Sequence, residues 1–297
     1  MRSSRRHSIS AVALVLLAVL ALLPLAGCSS GSSSGDTSGQ LTVAGSTTVL
    51  PIAEQAAESF ETKTGCHVLV SGLGSSAGIE AVINGTADIA SSSRDLTDDE
   101  RSHDLVSTVI AHDGIAVIVN ESNGVAGLTM DQLRAIYSGQ ITNWKEVGGE
   151  DLAIQVVNRD EASGTREAFR SIVMGDTSFD RSAAVLPGTG QVRDVVSRTP
   201  GAIGYISIGF VESANATTQV RSVPIDGVDA TEANVESGAY PISRELYFFT
   251  NGDPTGEAYD YIQYVLSDDM AQTIRDAGYI PAYTDLDQTS SQGGDAS

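Results

Sequence analysis

The amino-acid sequence predicts an α/β fold, in which short apolar strands alternate with amphipathic helices. Two patterns support this: β-prone runs recur along the chain, and segments with helical spacing of apolar residues lie between them. The 297 residues are 41% hydrophobic, which suffices for one large domain or two of moderate size. We detect no internal repeat.

The predicted strands are short and rich in apolar residues. The run at 115–119 is apolar throughout, as is typical of a central strand that is buried on both faces. The predicted strands lie at 41–44, 67–70, 87–90, 115–119, 154–157, 202–206 and 246–249.

The predicted helices carry apolar residues three or four positions apart. A capping box that begins at Thr129 predicts the start of the helix that buries Leu133, Ile136 and Tyr137. A polar, solvated helix is expected at 97–104. The other predicted helices follow Gly45, Gly74 and Gly164 or carry Val192 with Val196, Tyr261 with Val265, and Met270 with Ile274.

The N-terminus has the features of an export signal. Three arginines lie within the first six residues, and 11–23 is a run of 13 apolar residues, too short for a stable membrane span. The segment Leu25-Ala26-Gly27-Cys28 resembles the lipobox of bacterial lipoproteins, in which the cysteine is lipidated after cleavage. We therefore expect a signal peptide at 1–27 and a lipid (palmitate) anchor on Cys28 at the extracytoplasmic face of the cell membrane. A plain signal peptide with a nearby cysteine is the alternative.

Two further segments are expected to lack a fixed fold. The Ser/Gly-rich stretch 28–40 is typical of a flexible tether, and 287–297 is a polar tail predicted to be disordered. With Cys28 used as an anchor, Cys66 has no cysteine to pair with, and its apolar surroundings indicate a buried thiol.

The charge balance excludes one class of partner. The chain has 17 Lys and Arg against 38 Asp and Glu, a formal net charge of −21. Such a chain offers no general basic surface for nucleic acids or anionic membranes.

Three loops share one design that suits a small anion. The loops Gly45-Ser46-Thr47-Thr48, Gly74-Ser75-Ser76 and Ser163-Gly164-Thr165 each follow a predicted strand and open a predicted helix. Helix N-termini present N–H groups and positive partial charge, while Ser and Thr add hydroxyl donors. For any one loop, simple helix capping is an adequate alternative. Three such loops in one acidic chain, one of them preceded by Arg159, favour a binding site.

Arg159 supplies the positive charge that the acidic surface lacks. Salt screens the repulsion of an anion by that surface beyond about 8 Å, so that capture depends on local donors in a closed cleft. One guanidinium can grip two oxygens of a tetrahedral anion. Alternatively, Arg159 is a surface residue that pairs with Asp160 or Glu161; these acids could equally orient it toward a ligand.

Catalytic chemistry is poorly supported. The segment Gly74-Ser75-Ser76-Ala77-Gly78 matches G-x-S-x-G, which would make Ser76 a hydrolase nucleophile, but no histidine follows His112. The glycine loops lack the spacing and the lysine of nucleotide-binding motifs, and the histidines lack metal-ligand spacing. We expect no enzyme activity, no cofactor and no metal.

Seven segments occur in an order that is specific in combination. They are GSTTVLP (45–51), GLGSSAG (72–78), ADIASSSR (87–94), YSGQITNW (137–144), RDEASGTR (159–166), GAIGYI (201–206) and YPISR (240–244).

Together these segments resemble the phosphate-binding proteins of ABC phosphate importers, the PstS family. The resemblance implies a two-lobed class II periplasmic-binding-protein-like fold, whose lobes close at a hinge on one inorganic phosphate in the cleft between them. Lobe I would comprise 41–118 and 238–286, and lobe II 119–237. It also implies a monomeric receptor whose partner is the ABC permease of a phosphate importer. A receptor for another oxyanion (sulfate or molybdate) and a sensory lipoprotein are the alternatives.

The resemblance also implies which residues bind the ligand. Well-known family members accept the phosphate proton on an aspartate in the segment that matches Ser92-Ser93-Arg94, where this chain, like shorter members of the family, has serine. The acceptor could then be Ser93, Ser92, Asp95 or Glu161. Ala162 replaces a glycine that is common in the family. The implied phosphate-binding residues are Ser46, Thr47, Thr48, Ser75, Ser93, Arg159, Ser163, Gly164 and Thr165.

Overall fold

A computed structural model describes residues 39–212 and 220–282. Every predicted strand overlaps an observed one, which confirms the α/β class. Three short strands, β6, β8 and β10, were not predicted, since two or three residues carry no readable period. The strands are β1 (Gln40–Gly45), β2 (His67–Gly72), β3 (Ile89–Ser92), β4 (Leu105–Asn120), β5 (Gln155–Arg159), β6 (Ala184–Leu186), β7 (Ala202–Ser207), β8 (Val220–Ser222), β9 (Ser243–Asn251) and β10 (Ile280–Pro281).

The predicted helices occur in the predicted order except at 97–104, and two short helices, Ile208–Glu212 and Glu232–Glu236, were not predicted. The capping box at Thr129 is confirmed, because its hydroxyl accepts from the Gln132 N–H while the Gln132 side chain accepts from the Thr129 N–H. The segment that follows α4 continues as a π-helical turn, Arg170–Met174. The helices are α1 (Leu50–Thr64), α2 (Ser75–Ile83), α3 (Met130–Tyr137), α4 (Gly164–Phe169), α5 (Thr189–Arg198), α6 (Ile208–Glu212), α7 (Glu232–Glu236), α8 (Gly256–Val265) and α9 (Asp268–Asp276).

The prediction of a helix at 97–104 is wrong. Only Glu100–Ser102 form a single 3₁₀ turn there. A short polar segment has no apolar face to bury, and packing of such a face is what stabilises most short helices. The signal peptide, Cys28 and the 287–297 tail lie outside the described residues, as does the tether except for Gly39 and Gln40, where β1 begins.

Strand β4 carries the sheet from one side of the molecule to the other. The strands follow the order β2-β1-β3-β9-β4-β7-β5-β6. β4 pairs antiparallel with β9 from Leu105 to Gly114 and with β7 from Ile115 to Val119. Within β4, only 115–119 was predicted as a strand, because the first ten residues of β4 mix polar and apolar side chains. One 16-residue strand thus belongs to both sides.

Hydrophobic side chains collect on both sides of this strand. The first core contains Phe60 and Phe248, together with a smaller cluster around Ile79. The second core contains Trp144 and Ile206. We call the part of the chain that packs around the first core, with β1 to β3, the first side. The part that packs around the second core, with β5 to β7, is the second side. The lobe boundaries at 118/119 and 237/238 stay predictions. Cys66 is buried and unpaired, as predicted, and its burial raises the pKa of the thiol.

The second core is centred on stacked aromatic rings. The Phe169 and Tyr205 rings lie 4.2 Å apart with an angle of 10° between their planes, and the Tyr137 ring lies 4.8 Å from that of Phe169. Tyr205 lies on β7 and Phe169 ends α4, so that this contact fixes the helix that begins at Gly164 against the sheet.

Phe169→Ala is expected to lower the free energy of unfolding by about 3–5 kcal/mol, since it removes a buried ring and leaves a cavity. Urea denaturation of purified protein measures the change. Tyr259→Ala is the control, because Tyr259 is exposed, and it should change stability by less than about 0.5 kcal/mol. Equal effects of the two substitutions would contradict this account of the second core.

Candidate functional site

The three predicted loops meet at one place. β1 ends at Gly45 ahead of α1, Gly74 precedes α2, and Ser163 precedes α4, so each loop follows a strand and opens a helix as predicted. Two hydrogen bonds join loops from opposite sides. The Thr48 and Thr165 hydroxyl oxygens are 3.0 Å apart, and the Ser76 N–H donates to the Ala162 carbonyl at 3.2 Å. We call this meeting point of helix starts the candidate site.

The glycine in the third loop allows the two sides to approach each other closely. A Cβ on Gly164 would lie 2.2 Å from the Ser75 hydroxyl oxygen and 2.8 Å from that of Ser93. Ser75 opens α2, and Ser93 directly follows β3. The Ser75 hydroxyl accepts from the Ser93 N–H at 3.1 Å, so that these two residues form one surface facing Gly164.

Two of the predicted hydroxyls also cap helices. The Ser46 hydroxyl accepts from the N–H groups of Thr48 and Val49 at 3.1 and 3.3 Å. The Ser163 hydroxyl accepts from the Arg166 N–H at 3.2 Å. The N–H groups of Thr48 and Val49 are therefore not free, contrary to the expectation of unpaired amides there. In the first loop, the side-chain hydroxyls of Thr47 and Thr48 are the groups that face the second side.

Arg159 lies at the end of β5 and is only 2% exposed. Its guanidinium donates to the Leu186 and Pro187 carbonyls at 3.2 and 2.8 Å, and to the Thr189 and Thr47 hydroxyls at 3.2 Å each. Within the described ranges, no carboxylate lies at ion-pair distance from this guanidinium. The alternative of a surface arginine paired with Asp160 or Glu161 is therefore wrong.

The electrostatics around Arg159 favour a negatively charged ligand. Burial lowers the pKa of Arg159, although Tyr205 and Asp160 oppose that shift. A guanidinium nevertheless stays protonated in proteins. A buried charge is normally paired, whereas the hydrogen-bond partners of this one are neutral carbonyls and hydroxyls. An anion beside it would be attracted by a buried, weakly screened cation.

A fourth helix start was missed by the sequence analysis. Thr189 opens α5 after Gly188 and is buried. Its hydroxyl oxygen lies 3.0 Å from that of Thr47 and accepts from Arg159. The sequence does carry a signal, since Gly188-Thr189 precedes a helix just as Gly74-Ser75 does. The prediction of that helix rests on Val192 and Val196 and does not include Thr189.

A second buried arginine was also missed. Arg244 is the second residue of β9 and lies opposite Asp113 on β4, and its guanidinium donates to the Asp113 carboxylate at 2.7 and 3.0 Å. It also contacts the Ser93 carbonyl at 3.2 Å and the Thr48 hydroxyl at 3.4 Å. Burial raises the pKa of Asp113, and Arg244 opposes that shift. Arg244 lies in one of the seven segments, but nothing in the sequence pairs it with an acid 131 positions away.

Only one of the four candidate proton acceptors belongs to the site. The Ser92 hydroxyl donates to the Arg94 carbonyl of its own loop at 2.7 Å. Asp95 is exposed and pairs with Arg101, and Glu161 is exposed. Ser93 alone among the four is in contact with the predicted binding residues, through Ser75. The described candidate site therefore offers hydroxyl oxygens, and not these carboxylates, to a ligand proton.

Ser76 is not prepared as a nucleophile. Its hydroxyl accepts from the Arg94 guanidinium at 3.0 Å, and Arg94 is held by Glu100 at 2.6 Å. An arginine cannot take a proton from a serine. His103, one of the two histidines that follow Ser76 in the sequence, is exposed. The hydrolase reading of the G-x-S-x-G segment has no support in this geometry.

Known proteins resemble the chain over most of its length. The model of the PBP superfamily domain matches residues 30–269. The phosphate-binding protein PstS of Bacillus subtilis is 34% identical over 258 residues, which cover 85% of this chain and 83% of that protein. PstS of Staphylococcus saprophyticus is 30% identical and covers 89% of this chain, with 87% of its own length aligned.

Solved structures share the fold. A substrate-binding protein from Clostridium perfringens, assigned to a phosphate ABC transporter and solved with bound phosphate, has a TM-score of 0.78 at 36% identity. An ABC-type phosphate transport receptor from Vibrio cholerae has a TM-score of 0.69 at 36% identity. Each covers 82% of this chain and 100% of its own chain.

Gly164→Ala is expected to separate the two sides, because the added methyl group would overlap Ser75 and Ser93. The Ser76 N–H would then lose its bond to Ala162, so hydrogen–deuterium exchange of that amide should be faster than in the parent protein. Gly190→Ala is the matched control, since a Cβ on Gly190 meets no atom within 4 Å. Unchanged exchange at Ser76 in the Gly164 variant would argue against this close approach.

Proposed function

The chain belongs to the PstS family of phosphate-binding proteins, and from this membership we propose that its candidate site binds inorganic phosphate for delivery to an ABC importer. It is a solute-binding receptor and not an enzyme. The two-lobed class II fold predicted from the sequence is the fold of the matched solute-binding proteins.

The buried Arg159 is the observation that carries the proposal. Its guanidinium is held by acceptors from the second side and also reaches Thr47 on the first side. A phosphate beside this guanidinium would be attracted by its positive charge and could accept from it in place of the Thr47 or Thr189 hydroxyl. It would also meet the Thr48, Ser75 and Thr165 hydroxyls, which are all buried. Hydrogen bonds to a charged ligand are strong in such a water-poor environment.

The same residues explain how an acidic protein can hold an anion. At a formal charge of −21, the surface repels phosphate over long distances, but salt limits this repulsion to about 8 Å. Binding then depends on the enclosed donors and on the buried guanidinium of Arg159, which has no carboxylate at ion-pair distance among the described residues. Ser46, Ser93, Ser163 and Gly164 complete the proposed ligand set on the two sides.

Selection of phosphate over sulfate needs an acceptor for a ligand O–H, because fully deprotonated sulfate has no proton to donate. We assign that role to the Ser93 hydroxyl, which lies 3.4 Å from the Ser75 hydroxyl and 2.8 Å from where a Gly164 Cβ would stand. A hydroxyl accepts less strongly than a carboxylate, since its oxygen carries no full charge.

We further propose that the mature protein is a monomeric receptor on the extracytoplasmic face, anchored by lipid on Cys28 and docking onto the permease of a phosphate importer. The Ser/Gly-rich segment 28–40 would let the receptor reach its permease. In the part of the chain that the structure describes, no helix is long and apolar enough to cross a bilayer.

Calorimetric titration with phosphate, arsenate, sulfate and molybdate tests the proposed ligand. Phosphate should bind most tightly, with sulfate weaker because it cannot donate to Ser93. The parent protein is titrated in one buffer at constant salt, so that only the anion changes. Sulfate or molybdate binding as tightly as phosphate would overturn the assignment.

Arg159→Ala should weaken phosphate binding by about 2–5 kcal/mol, because it removes a buried, charged donor. The same titration measures the loss. Arg170→Ala removes a positive charge from an exposed ion pair with Glu167, and should leave the affinity within about twofold of the parent. Equal affinities of the parent and the Arg159 variant would remove Arg159 from the site.

Cys28→Ser should release the protein from the membrane fraction into the medium or periplasm, since the lipid is attached through that sulfur. Cell fractionation followed by immunoblotting measures the distribution. Cys66→Ala is the control, because Cys66 is the only other cysteine and is buried in the first core. Continued membrane attachment of the Cys28 variant would contradict the proposed anchor.

A further inference from the structure

Building on the proposed phosphate site, we propose that Arg244 is a positioning residue that makes the Thr48 hydroxyl a hydrogen-bond donor to the anion. The guanidinium contacts the Thr48 hydroxyl oxygen at 3.4 Å. An oxygen that accepts from an arginine has its own hydrogen left to donate. That hydrogen then points away from the arginine, and the Thr165 hydroxyl oxygen of the candidate site lies within its reach at 3.0 Å.

The strand pairing fixes where Arg244 lies. Arg244 and Asp113 are direct cross-strand neighbours on β9 and β4. Asp113 lies next to the point where β4 exchanges β9 for β7 as its partner, and its other oxygen accepts from the Ser207 hydroxyl of β7 at 2.6 Å. The Asp113 carboxylate is fully buried and the Arg244 side chain is 4% exposed. The arginine is therefore anchored to strands of both sides.

The remaining donors of Arg244 reach only the first side. One terminal nitrogen donates to the Ser93 carbonyl at 3.2 Å, and the other reaches Thr48. Arg244 thus links the loop after β1 to the loop after β3, which carry Thr48 and Ser93. Because Asp113 neutralises its charge, Arg244 contributes to phosphate binding more by orienting the Thr48 hydroxyl than by its own positive charge.

Arg159 shows the same arrangement on the other side. Its guanidinium donates to the Thr47 and Thr189 hydroxyls, so that these oxygens act as acceptors toward the arginine. Two arginines then set the orientation of three threonine hydroxyls around one point. A fully or mostly deprotonated oxyanion needs donors on every side, and fixed hydroxyls supply them without reorganisation upon binding.

A double-mutant cycle between Arg244→Lys and Thr48→Val tests the proposal by phosphate calorimetry. Lysine keeps the charge, but its single nitrogen cannot serve Asp113, Ser93 and Thr48 together. Each single variant should bind phosphate about tenfold more weakly, the size of one hydrogen bond to a charged group. Since Arg244 acts through Thr48, the double variant should match Thr48→Val within about twofold. The proposal would be overturned if the loss of phosphate affinity in the double variant equalled the product of the two single losses. It would also be overturned if Arg244→Lys bound phosphate as tightly as the parent protein.

Two controls separate this inference from its premise. Arg221→Lys makes the same substitution at a partly buried arginine that donates to the Asn123 and Val125 carbonyls, away from the site, and should bind like the parent. Failure of the parent to bind phosphate would reject the proposed function itself, whereas normal parent binding with an unaffected Arg244 variant rejects only the role of Arg244. If thermal unfolding shows that Arg244→Lys does not fold, the neutral pair Arg244→Gln with Asp113→Asn replaces it in the same cycle, with the same expectation.

Discussion

The guanidinium of Arg159 is a buried cation surrounded by neutral acceptors. Carbonyls at Leu186 and Pro187 and the hydroxyls of Thr47 and Thr189 satisfy its donors without neutralising its charge. Burying such a charge is unfavourable unless something compensates it. In the proposed site a small anion would supply the missing compensation, and the surrounding helix starts would supply its remaining hydrogen bonds.

The sheet makes that arrangement possible. Parallel strands place their carboxyl ends, and the helix starts that follow them, along a shared edge. Here two such groups, β1 to β3 and β5 to β7, are joined through β9 and the long strand β4. Loops that are more than 100 positions apart in the sequence therefore touch through Thr48 and Thr165. The Arg244–Asp113 pair lies on the joining strands, beside both groups.

The two arginines differ in the way their charge is used. Arg244 is paired with Asp113, which neutralises most of its charge. Its N–H groups can therefore orient the Thr48 hydroxyl and bind the Ser93 carbonyl while adding little positive charge to the site. Arg159 has no carboxylate at ion-pair distance among the described residues, so its charge stays available to a ligand. A buried cation without an ion-pair partner, surrounded by hydroxyls, suits one small oxyanion better than a larger or neutral solute.

The strands and helices whose period is long enough to read, the helix starts at Ser75 and Ser163, and the position of Arg159 at the end of a strand beside the third loop could be predicted from the sequence. These are local properties, since periodicity, capping and loop composition depend on neighbours within a few positions. Prediction from the sequence failed at 97–104, where the polar segment forms only a single turn. It also missed the first ten residues of β4, whose mixed polar and apolar pattern has no clear period. The three-dimensional contacts alone bring Thr189 and the Arg244–Asp113 pair next to the candidate site and leave Asp95 and Glu161 exposed outside it. Contacts between residues far apart in the chain depend on strand order and register, and no local pattern encodes them.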